Sequence, residues 1–268
     1  MVSIKVLFRL AVLSTAFVLS ACGEKASNPN TIKVGTIAGP ETQLMEVAKQ
    51  QAQQAGYTID IVPFTDYNMP NEALSDGSID ANVFQHAPYL EAAVKAKNYK
   101  FIVVGKTFVY PVGAYSKKYK SIKQLPQGAL VAIPNDPSNE ARALLILEKG
   151  GLITLKPGST VDATIADILK NPKKLQFKEV DAAQLPRILP DVDLAVINTN
   201  YSMLAGLLPS RDALILEKAN SPYANLIVVR QGEDNQPKVK ALVNALHSPA
   251  VLQEANTLFK GQAIPAWK

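Results

Sequence analysis

Cysteine and histidine are nearly missing from this 268-residue chain, which has one cysteine, Cys22, and two histidines, His86 and His247. A single thiol excludes an internal disulfide. So few ligating side chains, with no glycine-rich phosphate loop, leave no Cys/His metal cluster and no histidine-based triad; a serine or aspartate site stays open. Lysines and acids are scattered rather than blocked, with a net charge of +5, so the electrostatic footprint of a nucleic-acid binder is lacking. There is no low-complexity linker. No apolar run reaches the roughly 20 residues that a permanent membrane span requires.

What is present begins at the N-terminus. Lys5 and Arg9 precede an apolar run from Leu10 to Leu19, followed by Ser20-Ala21-Cys22. A basic region, an apolar stretch and small residues before a cleavage site, in that order, are the marks of an export signal. Leu19-Ser20-Ala21-Cys22 resembles the bacterial lipobox, whose cysteine is acylated and becomes the first residue after cleavage; lipidation would account for the lone thiol. Residues 1–21 are thus expected to be a lipoprotein signal peptide and 22–30 a polar, small-residue tether. Loss of Lys5 and Arg9 lowers the net charge from +5 to +3. Gly23 after the cysteine leaves the choice of membrane open.

The mature chain reads as α/β. Thr31–Ile37 alternates like a strand, Gly39-Pro40 turns, and Glu41–Ala55 has helical apolar spacing. Strands follow at 58–64 and 80–84, with a short helix at 70–74 between them and Pro88 placed for a helix's first turn. Extended segments cover 101–110 and 112–115. The pattern then restarts, with a strand at 129–133, a helix at 138–149 stopped by Gly150-Gly151, and strands at 175–180 and 194–197. Each half ends in a short strand opened by an aspartate, Asp80 or Asp193. Two similar lobes are expected, one from 31–115 with 206–268 and the other from 116–205, closing over a ligand like a type II periplasmic binding protein. A strand at 226–230 and two amphipathic helices, with Val239, Leu242, Val243 and Leu246 on one and Val251, Leu252, Ala255, Leu258 and Phe259 on the next, supply core.

In such a protein the ligand lies where the carboxyl ends of the strands face one crevice. The segments after the strands carry the candidates. Phe84 and His86 lie two apart on an extended run and point the same way; with Tyr67 and Tyr89 they can wall an aromatic pocket. Asp136 is placed to cap a helix with Pro137 in its first turn, which puts Asn139 and Arg142 on one face. A guanidinium near a helix N-terminus suits a carboxylate. Asn198 and Asn225 add amides able to donate and accept. Each has a plainer reading: the asparagines as caps or turns, Arg142 as a surface ion pair, the rings as core, His86 as a structural histidine. His247 has no assigned role.

Read together, several stretches resemble the methionine-binding lipoproteins of the NlpA (MetQ-like) family, the receptors of methionine ABC importers. They are Asp66-Tyr67 with Pro70-Asn71-Glu72-Ala73-Leu74, Asp80-Ala81-Asn82 with Phe84-Gln85-His86 and Pro88-Tyr89-Leu90, Thr107-Phe108-Val109-Tyr110-Pro111, Pro134-Asn135-Asp136-Pro137 with Asn139 and Arg142, Gln184-Leu185-Pro186-Arg187, Ala195-Val196-Ile197-Asn198, and Ser221-Pro222-Tyr223 with Asn225-Leu226-Ile227-Val228. They span the mature chain in order. The resemblance implies a lipid-anchored receptor facing the periplasm or exterior, with no cofactor, metal or catalysis, that delivers L-methionine or a close relative to a permease and its ATPase. It further implies that Tyr67, Phe84, His86 and Tyr89 surround the side chain, that Arg142 grips the carboxylate, and that Asn139, Asn198 and Asn225 hold the amino and carboxylate groups. Glu140 stands where a small or apolar residue is expected.

Overall fold

The computed structural model describes residues 28–218 and 222–267. The expected signal peptide, Cys22 and the first part of the tether lie outside those residues. Along the chain come β1 (Thr31–Ile37), α1 (Pro40–Gln54), β2 (Thr58–Phe64), α2 (Met69–Ser75), β3 (Ala81–His86), α3 (Ala87–Lys97) and β4 (Phe101–Val109). The middle holds β5 (Gly113–Tyr115), β6 (Leu130–Pro134), α4 (Pro137–Lys149), β7 (Thr154–Leu155), β8 (Ile168–Lys170), β9 (Gln176–Val180), α5 (Leu185–Ile188) and β10 (Leu194–Ile197). The remainder is α6 (Thr199–Leu204), α7 (Pro209–Asp212), β11 (Ile215–Leu216), β12 (Ala224–Arg230), α8 (Pro237–Leu246), α9 (Pro249–Leu258) and β13 (Ile264–Pro265).

Two sheets organise these elements, ordered β13-β4-β12-β3-β1-β2 and β11-β5-β10-β6-β9. In each, the first strand of the lobe, β1 or β6, lies between two parallel neighbours, and an antiparallel strand, β12 or β5, closes the third. The aspartates that open the third strands do the same work in both. Asp80 accepts from the backbone N–H of Lys33 at 2.9 Å and Asp193 from that of Leu130 at 2.8 Å, each clamping third strand to first. Each is also balanced by cations: Arg230 and Lys238 for Asp80, Lys118 for Asp193.

The sheets divide the chain at other residues than the sequence suggests. Gly113–Tyr115 pairs with β10, and Ile215–Leu216 pairs with β5, so both belong to the second sheet rather than the first. One crossover is therefore the short segment Tyr110–Val112, and the return begins at Glu217, whose N–H donates to the Val112 carbonyl at 2.9 Å. Only three residues separate β4 from β5, which is why local pattern cannot tell that the chain changes sheet between them.

Each lobe has its own core. β1, β3 and β12 pack on α1, α8 and α9 through residues such as Ile32, Val34, Leu44, Met45, Leu242 and Val251. The second core gathers Val131, Ile133, Leu144, Leu147, Leu194 and Val196. A third apolar cluster joins the lobes, with Ile37 and Phe84 from one meeting Tyr115, Leu185, Ile197 and Tyr201 of the other. Among the described residues no helix is long and apolar enough to cross a membrane.

Candidate functional site

The carboxyl ends of β3, β6 and β10 converge on one cleft between the lobes, of about 400 Å³ including its open mouth. All eight candidate residues line it: Tyr67, Phe84, His86 and Tyr89 from the first lobe, Asn139, Arg142 and Asn198 from the second, and Asn225 from β12. Gln85, Tyr110, Val112, Thr199 and Asn200 line it too.

One end is aromatic. The centroids of Tyr67, Phe84 and Tyr89 lie 5.7–6.0 Å apart, with Tyr89 edge-on to both of the others, a geometry that satisfies the ring quadrupoles. The Tyr89 hydroxyl donates to the Tyr67 carbonyl at 2.9 Å and so fixes the loop that carries Tyr67. Tyr201 backs the group, 5.0 Å from Tyr67. His86 caps α3, its Nδ1 accepting from the Tyr89 N–H at 3.2 Å. The ring proton therefore sits on Nε2, facing Asn139 Oδ1 at 3.3 Å across the lobes. Burial, helped by the charge of Arg142, lowers the His86 pKa to about 3, so the ring is neutral and belongs to the apolar wall.

The other end is polar, and its polarity can be traced atom by atom. Asp136 caps α4, accepting from the Asn139 backbone N–H, and both its oxygens accept from Asn139 Nδ2 at 3.0 and 2.9 Å. Burial raises its pKa, against the pull of these hydrogen bonds. Because a carboxylate only accepts, Asn139 must turn Oδ1 the other way, where it receives Asn198 Nδ2 at 2.8 Å. Asn198 in turn is left with Oδ1, which is buried and has no hydrogen-bond partner among the described residues. A second relay starts at Glu41, in the first turn of α1. Its Oε2 accepts from Asn200 Nδ2 at 2.8 Å and its Oε1 from Asn225 Nδ2 at 2.5 Å. Asn200 Oδ1 is likewise buried without a partner among the described residues. Glu41 is 4% exposed, and burial, opposed by the two amides, raises its pKa to about 7.

Arg142 lines the cleft as expected and is also engaged within the protein. Its Nε and Nη2 fork grips Glu217, at 3.0 and 2.6 Å, and Nη2 also donates to the Tyr110 carbonyl at 3.0 Å. The guanidinium lies 4.3 Å from the Tyr223 ring centroid. The fork thus faces a carboxylate of the protein, and Nη1 donates to no described residue. Asn139, with its amide spent on Asp136, also acts here as a link and not as a free donor. Glu140, two residues from Arg142, is turned away and accepts from the Ile165 N–H at 3.0 Å.

Glu41 and Glu217 are the functional residues the sequence reading passes over. Glu41 could be found by the same strand-end rule that picks the others, since it follows β1 across Gly39-Pro40. Glu217 has no local signal; it follows a two-residue strand and meets Arg142 from 75 positions away.

A two-lobed α/β fold with a cleft at the strand ends, polar at one end and aromatic at the other, defines a solute receptor. The chain belongs to the NlpA lipoprotein family, whose profile matches residues 32–267. It is 49% identical to the D-methionine-binding lipoprotein MetQ of Salmonella typhi over 252 residues, 93% of each chain. Among solved structures, a periplasmic substrate-binding protein of an ABC transporter from Coxiella burnetii is 60% identical, with a TM-score of 0.85 over 88% of this chain and 100% of that one. A nutrient-binding protein from Burkholderia cenocepacia, bound to methionine, is 52% identical, with a TM-score of 0.85 over 88% and 99%.

Proposed function

We propose that this chain is the substrate-binding component of an ABC importer and that its ligand is methionine, held as a zwitterion in the interlobe cleft. The observation that carries the reading is the pairing of ends: buried amide oxygens of Asn198 and Asn200 beside Arg142 at one, and the Tyr67–Phe84–Tyr89 ring cage with neutral His86 at the other. Unpaired buried carbonyls cost about 1–3 kcal/mol each, and an ammonium supplies the donors they lack. A carboxylate fits the Nη1 edge of Arg142. A thioether among ring edges gains roughly 0.3–1.5 kcal/mol beyond its burial, whereas a charged side chain there loses hydration without a partner. The names of the relatives support the same ligand.

In a thermal-shift panel of amino acids, L- or D-methionine is expected to stabilise the protein most, and lysine and aspartate hardly at all. A larger shift with arginine, glutamate or a sugar refutes the assignment. Delivery to a permease and its ATPase, from a lipid anchor on Cys22, belongs to the same reading. It is supported by the lipobox-like Leu19-Ser20-Ala21-Cys22 and by relatives that are lipoproteins and a transporter component. Cys22→Ala should leave an unprocessed or mislocalised precursor; mature protein still held at the membrane by its N-terminus in that variant excludes the anchor.

A further inference from the structure

Glu41 does not line the cleft, yet two amides that do, Asn200 and Asn225, each donate an N–H to it. It lies on α1 of the first lobe, while Asn200 lies on α6, directly after the last parallel strand of the second, so this carboxylate also ties the lobes together. Resting on the reading of the ligand as a free amino acid, we propose that Glu41 is the positioning residue that makes the receptor demand a free α-ammonium. It holds Asn200 and Asn225 by their N–H groups, so that their carbonyl oxygens are what remains for the ligand, and it supplies the negative charge behind them.

The logic is one of donors and acceptors. An ionised carboxylate accepts from both amides at once and can present no donor to either. Asn200 is therefore held with Oδ1 away from Glu41, and Asn225 Oδ1 accepts from no described residue, its Nδ2 being shared between Glu41 and the Phe84 carbonyl at 3.2 Å. A glutamine in place of Glu41 has one acceptor and one donor. It must set an N–H against an N–H of Asn200 or Asn225, and relief comes only if that asparagine turns over and offers its amide to the cleft. An ammonium cannot bond to that amide; a ligand with no nitrogen loses nothing.

The test compares methionine with its des-amino analogue, 4-(methylthio)butanoate, on the full-length processed protein by calorimetry, in wild type and Glu41→Gln. Wild type is expected to prefer methionine strongly. In Glu41→Gln that preference should shrink by roughly 10- to 100-fold, as for one lost charge-assisted hydrogen bond, with the analogue's affinity almost unchanged. A residue that merely holds the fold together would weaken both ligands alike. An unchanged preference, or an equal loss for both, overturns the proposal. If Glu41→Gln does not fold, Asn200→Ala removes one arm of the same relay, and an unaltered preference in that variant overturns it equally. Wild-type protein that binds neither compound refutes the methionine reading instead.

Discussion

Replacing Arg142 by lysine separates two jobs that the guanidinium does at once. Arg142 and Glu217 form an ion pair with both side chains 5% exposed, through two bonds of 3.0 and 2.6 Å, and the Tyr110 carbonyl takes a third of 3.0 Å. An ammonium on a shorter, rounder head keeps at most one bond to Glu217 and one to Tyr110, and it loses the guanidinium's contact over the Tyr223 ring. The forfeited fork bond is worth roughly 1.5–3 kcal/mol and the ring contact about 0.5–2 kcal/mol. Arg142→Lys should therefore cost roughly 2–5 kcal/mol in urea unfolding without ligand. It should also weaken methionine binding at least about tenfold, because the Nη1 edge proposed for the ligand carboxylate disappears with the plane. Glu217→Gln is the control: it keeps the guanidinium and one acceptor, so it lowers stability while leaving methionine affinity equal or higher, a competing carboxylate having been removed. Loss of stability with full affinity in Arg142→Lys would make the residue a brace of the crossovers and take it out of the ligand site. Loss of affinity with full stability would refute the grip on Glu217.

Asp136→Ala removes both the cap of α4 and the anchor of the Asn139–Asn198 relay. About 0.5–2 kcal/mol of stability should go with the cap and methionine affinity with the relay; unchanged affinity shows that Asn198 keeps its orientation unaided. Glu41, with its pKa raised to about 7 by burial, binds its proton more tightly folded than unfolded. Its contribution to ligand-free stability is thus fully present below about pH 4.5 and is lost as pH rises through about 7, up to roughly 3 kcal/mol. A bound ammonium favours the ionised form, so the methionine-induced rise in Tm should grow between pH 5 and 8; a shrinking or flat increment contradicts this. Tyr201→Phe deletes a buried hydroxyl that has no partner among the described residues and should leave the protein, measured without ligand, as stable or up to about 1 kcal/mol more so, whereas a clear loss in denaturant melts means the hydroxyl is satisfied.

The fold was legible where burial is continuous and periodic. β1, β2 and β10 match their expected bounds, and α1, α3 and α4 form where proline falls in the first turn and apolar residues recur at helical spacing. What escaped is short: the β7–β8 hairpin, α6, α7, β11 and β13 have two to six residues each. Segments of that length carry less than two turns or two alternations, so their conformation is decided by what they pack on. α6 shows this, because Thr199-Asn200-Tyr201-Ser202 is too short to display a helical period and becomes helical where Tyr201 enters the apolar cluster joining the lobes. β5 shows the companion failure, a strand correctly expected but placed in the wrong sheet, since alternation reports that a segment is extended and not what it pairs with.

The site divides along the same physical line. Side chains that face the cleft sit at strand ends, and strand ends can be found from local pattern, which is why Phe84, His86, Arg142 and the asparagines could be named from the sequence. Their polarity could not. An asparagine presents a donor or an acceptor according to what holds its far side, and in this cleft that is settled by carboxylates behind the wall: Asp136 three residues from Asn139, Glu41 184 residues from Asn225, Glu217 75 residues from Arg142. Only the first of these is a local relation, the familiar helix cap, and it was the only one read in advance. The other two exist only once β12 returns to the first sheet and β11 to the second, so the chemistry of this cleft, as distinct from its location, is a product of topology.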